Sequence, residues 1–109
     1  MARTFEKGIL LNFKELIDYS DGGVVSKQVL KNEAGNITLF SFDKEEGLTP
    51  HTSPYDAVVE ILEGEAEILI GEEKFILKEG ESIILPATVQ HGLHATERFK
   101  MLLTMIKGQ

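Results

Sequence analysis

Three histidines, His51, His91 and His94, carry most of the chemistry open to this sequence, because it contains no cysteine. Without thiols there is no disulfide, no cysteine nucleophile and no thiolate metal site. Any metal must rest on imidazole, carboxylate or hydroxyl groups. Neutral imidazole is the commonest metal ligand and also the side chain that changes charge near physiological pH. Ser53 has a hydroxyl two residues from His51, but no serine-centred elbow or acid–base relay surrounds it. It reads as a hydrogen-bonding group rather than a nucleophile. Asp56 reads as a turn residue bonded to backbone within Ser53-Pro-Tyr-Asp56.

The elements that must position these residues are short strands. Val24–Leu30, Ile37–Phe42, Ala57–Leu62, Ala66–Ile70, Phe75–Leu77, Ser82–Leu85 and Phe99–Ile106 are β-favouring runs separated by turn clusters, a spacing that predicts a sandwich or barrel. Asn32–Asn36 and Gly71–Glu73 read as hairpin connections, and Glu63-Gly64-Glu65 and Glu79-Gly80-Glu81 share the same turn chemistry. One short helix is predicted near residues 12–19, where Phe13, Leu16 and Ile17 fall at helical spacing before Asp21-Gly22-Gly23 breaks the pattern. Strand alternation puts Ala66, Ile68 and Ile70 on one face. His91 and His94, three residues apart, fall on opposite faces of a regular strand, so His94 points outward unless a bulge near Gly92 shifts the phase. Met101 and Met105 share one face of the last strand and read as core or interface filling rather than copper ligands.

At 109 residues, the chain fits a single domain, residues 1–109, and its 42% hydrophobic and 27% charged residues are those of a globular fold. Eleven basic against eighteen acidic residues give a net charge of −7. That balance argues against nucleic acid and anionic membranes as partners. The start of the chain lacks the apolar core of a signal peptide, which predicts a cytoplasmic location. Val58–Leu62 is apolar on both sides except for Glu60, and Val24–Leu30 offers a strand edge. Both features predict a homodimer in which a second copy covers exposed strand surface.

The run Gly47-Leu-Thr-Pro-His51-Thr-Ser53-Pro-Tyr-Asp-Ala57-Val-Val-Glu-Ile-Leu-Glu-Gly64 resembles the first motif of the cupin family. Gly80-Glu-Ser-Ile-Ile-Leu-Pro86-Ala-Thr88-Val-Gln-His91 resembles the second, with the motifs spanning about residues 47–64 and 80–95. The resemblance implies an all-β fold: a small single-domain cupin β-barrel, or jelly roll, with one short N-terminal helix. It also implies that His51 and His91 occupy two of the positions that hold metal in metal-dependent cupins. Ser53 stands where a second histidine is expected and Ala57 where a glutamate is expected, while Thr88 and Ala95 replace a glycine and an asparagine.

Two functions remain open on this reading. One is a non-catalytic pocket, lined by His51, Ser53, Ala57 and His91, that binds a small-molecule ligand. The other is a metal-dependent enzyme, a dioxygenase, isomerase or lyase, using His51 and His91 with a divalent zinc, manganese, iron or nickel ion and a substitute donor such as His94. The incomplete ligand set favours the first, since two imidazoles hold a divalent ion less well than three or four donors.

Overall fold

The structure, a computed structural model, describes residues 5–107. It contains eight strands: β1 (Val24–Asn32), β2 (Gly35–Phe42), β3 (Gly47–His51), β4 (Asp56–Ile70), β5 (Glu73–Lys78), β6 (Ser82–Leu85), β7 (His91–His94) and β8 (Phe99–Ile106). They run in the order β1-β2-β8-β4-β7-β3, with β5 and β6 also paired to β4, and each neighbouring pair is antiparallel. Among the described residues no helix is long and apolar enough to cross a membrane.

β4 links the two halves of this curled sheet. Its first part pairs with β6 and β8, and its second part, from Glu65, pairs with β5 and β7. The Glu63-Gly64-Glu65 cluster is therefore a bend inside one continuous strand. Two features make the bend. The register against β8 slips between Ile61 and Glu63, and Gly64 takes a φ of +84°. Only a residue without Cβ fits there, because a methyl group would run into the Arg98 carbonyl oxygen.

Inward-facing residues close the barrel. Phe42, Val59, Ile61, Ala66, Ile68 and Phe99 are fully buried, and the Phe42 and Phe99 rings stack with centroids 4.6 Å apart. Full burial of each of these side chains except the small Ala66 stabilises the fold by about 1.5–3 kcal/mol. A second cluster forms on the outside of the sheet, where Ile17, Val29 and Leu39 are buried beneath Phe5, Phe13 and Leu16 and against Leu62 and Leu102.

That outer cluster explains why the expected helix is so short. Only one 3-10 turn forms, Phe13–Glu15, and Asn12 makes no side-chain cap. The carbonyls that a longer helix would satisfy internally are taken by side chains of the sheet. Lys100 Nζ donates to Lys14 O (2.7 Å), Lys27 Nζ to Leu16 O (2.8 Å) and Ser41 Oγ to Asp18 O (2.8 Å). The segment is thus laid flat as a strap. It covers Leu62, half of the outer apolar face of β4. Beside the other half, at Val58, the cross-strand neighbour Ile84 is 64% exposed.

Candidate functional site

β3 and β7 run antiparallel and place His51 directly opposite His91. Their rings meet edge to face, with centroids 4.5 Å apart. Each ring is fixed in the same way, by a backbone carbonyl two residues before it: His51 Nδ1 lies 2.9 Å from Thr49 O, and His91 Nδ1 lies 3.3 Å from Val89 O. A carbonyl oxygen can only accept, so Nδ1 carries the proton and donates in both rings. In the neutral form, Nε2 of each is left with a lone pair. Burial pushes the pKa of His91 below the ordinary imidazole value. The adjacent His51 ring pushes the same way, against the opposing effect of the Val89 carbonyl.

Both histidines stand at the mouth of a cavity of about 70 Å³ that reaches into the barrel. Ser53 and Tyr55, from the loop between β3 and β4, join them at the rim, and Ala57 lies on the wall. Leu85, Leu93, Leu103 and Met101 make the interior apolar. The motif loops are stitched together across this rim. Thr88 N donates to Ser53 O (2.7 Å), and Ala87 N donates to Asp56 Oδ1 (2.7 Å). Asp56 therefore bonds the opposite loop and not its own turn. Ser53 Oγ accepts from Tyr55 N (3.2 Å).

His94 is placed elsewhere. Leu93 lines the cavity, and His94 follows it onto the outer face, where Nε2 is 3.9 Å from Glu45 Oε1 beside Glu67 and Pro50. β7 keeps a regular register with β4 across Gly92, and the irregularity opposite it falls on β3, between Leu48 and His51, so His94 is not carried inward. The structure thus brings together His51, Ser53, Ala57 and His91 and leaves His94 outside. Sequence reasoning missed Tyr55, Leu48 and the two methionines as lining residues. For Met101 and Met105 a signal existed, since Met101, Leu103 and Met105 alternate along β8 and share one face.

A larger hollow, of about 520 Å³, lies at the opposite end of β8, between Tyr19, Lys44, Glu63, Glu97 and Arg98. Size does not make it the site of chemistry. It is broadly open, and several of its polar groups already have protein partners: Arg98 Nε donates to Asp43 Oδ1 (2.6 Å), and the Tyr19 hydroxyl donates to Glu63.

The Cupin domain family matches residues 38–107, which include both histidines and both loops. The chain belongs to that family; it is a cupin. It is 34% identical to a conserved protein of unknown function from Streptococcus pyogenes, with 99% of this chain and 95% of that one covered and a TM-score of 0.91. It is 41% identical to a cupin 2 conserved barrel domain protein from Leptotrichia buccalis, over 89% of this chain and 47% of that one, with a TM-score of 0.86. An uncharacterized protein of Aquifex aeolicus is 29% identical over 96 residues, covering 86% of the cupin and 79% of the relative.

Proposed function

We propose that this cupin is a binding protein whose barrel mouth holds a small, mainly apolar molecule by hydrogen-bond donors on its polar head. The observation that carries this reading is the shared tautomer of His51 and His91, which leaves two acceptor lone pairs at the entrance of an apolar cavity. A ligand with a hydroxyl head satisfies those acceptors while its body replaces water against Leu85, Leu93 and Leu103.

A divalent ion of the kind metal-dependent cupins use does not fit the donors present. Ser53 Oγ is engaged by Tyr55 N, Ala57 offers only a methyl group, and His94 is on the outer face. Among the described residues no group of three or more histidine, cysteine, aspartate or glutamate side chains could hold a metal ion. Zinc, manganese, iron and nickel sites need such a set.

Phenol and anisole, alike in shape but differing in the donor, test the binding reading by calorimetric titration. Phenol should bind measurably more tightly, because a site built around polar groups rejects the analogue that leaves them unpaired. Its binding should weaken as pH falls toward and below the depressed pKa of His91, where the acceptor becomes a donor. Equal affinities for the two compounds, or no binding of either, would overturn the reading.

A homodimer is proposed on narrower grounds than the sequence offered, because the strap already covers Leu62. What remains is the open edge of β1, the terminal strand of the sheet, and the outer strip around Val58, with Ile84 64% exposed and Ile106 56% exposed. A second copy would cover both, and Ile84→Glu should then convert the dimer to monomer in sedimentation velocity. Monomer mass for the parent at micromolar concentration defeats this.

A further inference from the structure

We propose that the Tyr55 ring is a plug that the chain keeps in its own barrel mouth, and that the ligand is a single flat ring of similar size, a monocyclic phenol, which takes the plug's place. The inference rests on the mouth being a binding site, as argued above, and adds the class of ligand and the step that admits it.

Volume carries the argument. An apolar cavity of about 150 Å³ holds a benzene ring. The cavity behind His51 and His91 measures about 70 Å³, so part of its lining must withdraw before a ring can enter. Val59, Leu85, Leu93 and Leu103 are held in place by the strand ladders they belong to. Among the described residues that line the cavity, Ser53 and Tyr55 alone lie outside strands. They belong to the connection between β3 and β4, residues 52–55, where Thr52 and Pro54 are exposed. Moving this connection uncovers little apolar surface, which keeps local opening cheap.

Tyr55 is only partly buried, and single contacts hold it in place. Its amide donates to Ser53 Oγ (3.2 Å), Ser53 O accepts from Thr88 N across the mouth (2.7 Å), and Lys107 Nζ stands 5.8 Å from the Tyr55 ring centroid, within cation–π range. Each can break without disturbing a strand. Among the described residues no hydrogen bond joins the Tyr55 hydroxyl to either imidazole, so the plug fills apolar space but leaves the Nε2 lone pairs unused. An entering phenol has the shape of the side chain that leaves and satisfies those lone pairs as well. The plug therefore lowers affinity: ligand binds only the fraction of molecules in which the ring has withdrawn.

The test is calorimetric titration of phenol into the full-length parent, Tyr55→Ala and Lys107→Gln. With the withdrawn state populated at about 0.1–10%, Tyr55→Ala should tighten phenol binding by about 10-fold or more. Lys107→Gln changes a residue outside the cavity, loosens the plug and should tighten binding by about 2- to 5-fold, the worth of an exposed cation–π contact. A ring that only forms part of the wall has the opposite effect, weaker binding when it is removed. In the parent, nuclear Overhauser contacts between the Tyr55 ring and the cavity-wall methyl groups should disappear at phenol saturation, a readout that does not depend on how either variant folds. Equal or weaker binding by Tyr55→Ala, no gain in Lys107→Gln, or Tyr55 contacts that persist overturns the proposal. If the parent still prefers phenol to anisole, those results defeat the plug alone; absence of phenol binding in the parent and in Tyr55→Ala alike defeats the mouth as a binding site and the plug with it.

Discussion

The two ends of β8 are built from similar polar material used in opposite ways. Around Arg98, donors and acceptors are matched within the chain. The guanidinium bridges Asp43 and Asp21, Tyr19 lies under both Arg98 and Lys100, and Lys100 reaches the Lys14 carbonyl. Around Met105, the imidazoles spend one nitrogen each on backbone and keep the other unshared. The first end fastens the N-terminal strap to the barrel. The second keeps hydrogen-bonding capacity in reserve, and strain goes with it. Thr88, in the loop leading to His91, sits at φ +67°, a left-handed conformation that β-branched residues rarely adopt. Internal pairing and unshared hydrogen-bonding nitrogens thus lie at different ends of one strand.

The sharpest attempt to break this contrast is Gly64→Ala at the fastened end. A Cβ there meets the Arg98 carbonyl and is held at positive φ, so the expected loss is about 3 kcal/mol or more in urea unfolding. A loss below about 1 kcal/mol would show that the bend can relax. Next in size is Tyr19→Phe, which removes the hydroxyl bonded to the part-buried Glu63 and should cost about 1–2 kcal/mol. At the mouth the sign reverses. Thr88→Gly should stabilise the fold by about 0.5–1 kcal/mol, since relief of left-handed strain exceeds the added freedom of the unfolded chain. Destabilisation by Thr88→Gly would mean that the loop is not strained.

Acid titration separates the two ends more finely. His91 has a folded pKa below its unfolded one, so the stability linked to it is present above the ordinary imidazole value near 6.5 and is lost as pH falls through the folded value. His91→Gln should remove that part of the pH profile. Asp43 is held at about 2, first by its hydrogen bond from Arg98 and then by the Gly22 and Lys44 amides. Its contribution is present above the ordinary aspartate value and is lost as pH falls through about 2. Arg98→Ala should narrow that lower window and leave the His91 window in place. The smallest effect expected is on His91 itself. His51→Gln removes a neighbour that opposes its protonation, so the His91 imidazole signals in NMR should titrate slightly higher. An unchanged or lower value would mean that the rings do not sense each other.

Much of the barrel could be read from alternation, and the exceptions are instructive. β1, β2, β5, β6 and β8 each contain the apolar run predicted for them, because one face of each meets the core. β3 and β7 gave no such signal. Gly47–His51 is exposed along its whole length and contains a proline, and His91–His94 has only four residues. Their pairing comes from the barrel, not from their own propensity. The bend at Gly64 looked like a turn because a glycine between two glutamates has the same local chemistry whether the chain reverses or only changes sheet. His51 and His91 were visible because the motifs fix their spacing. The shared face of Met101 and Met105 was legible from alternation, but not that this face lines the same cavity as the histidines, because cross-strand register is absent from the spacing of one strand. The flattened N-terminal segment was hidden for a related reason: its helix loses carbonyls to Lys27, Ser41 and Lys100, residues distant in the chain.

β4 pairs with β5, β6, β7 and β8, and β8 in turn is the strand that joins β4 to β2. This has a consequence for the order in which the molecule can assemble. As the chain emerges during synthesis, the β1–β2 and β4–β5 hairpins are local and can form early, before loop closure costs much entropy. The joint between the β1–β2 pair and the rest must wait for Phe99–Ile106, so until then β2 and β4 both present open edges. A chain truncated before residue 99 would expose a half-built sheet with both histidines present and no β8 wall behind them. The cavity wall is therefore completed in a single late step, when the strand that carries Met105 docks.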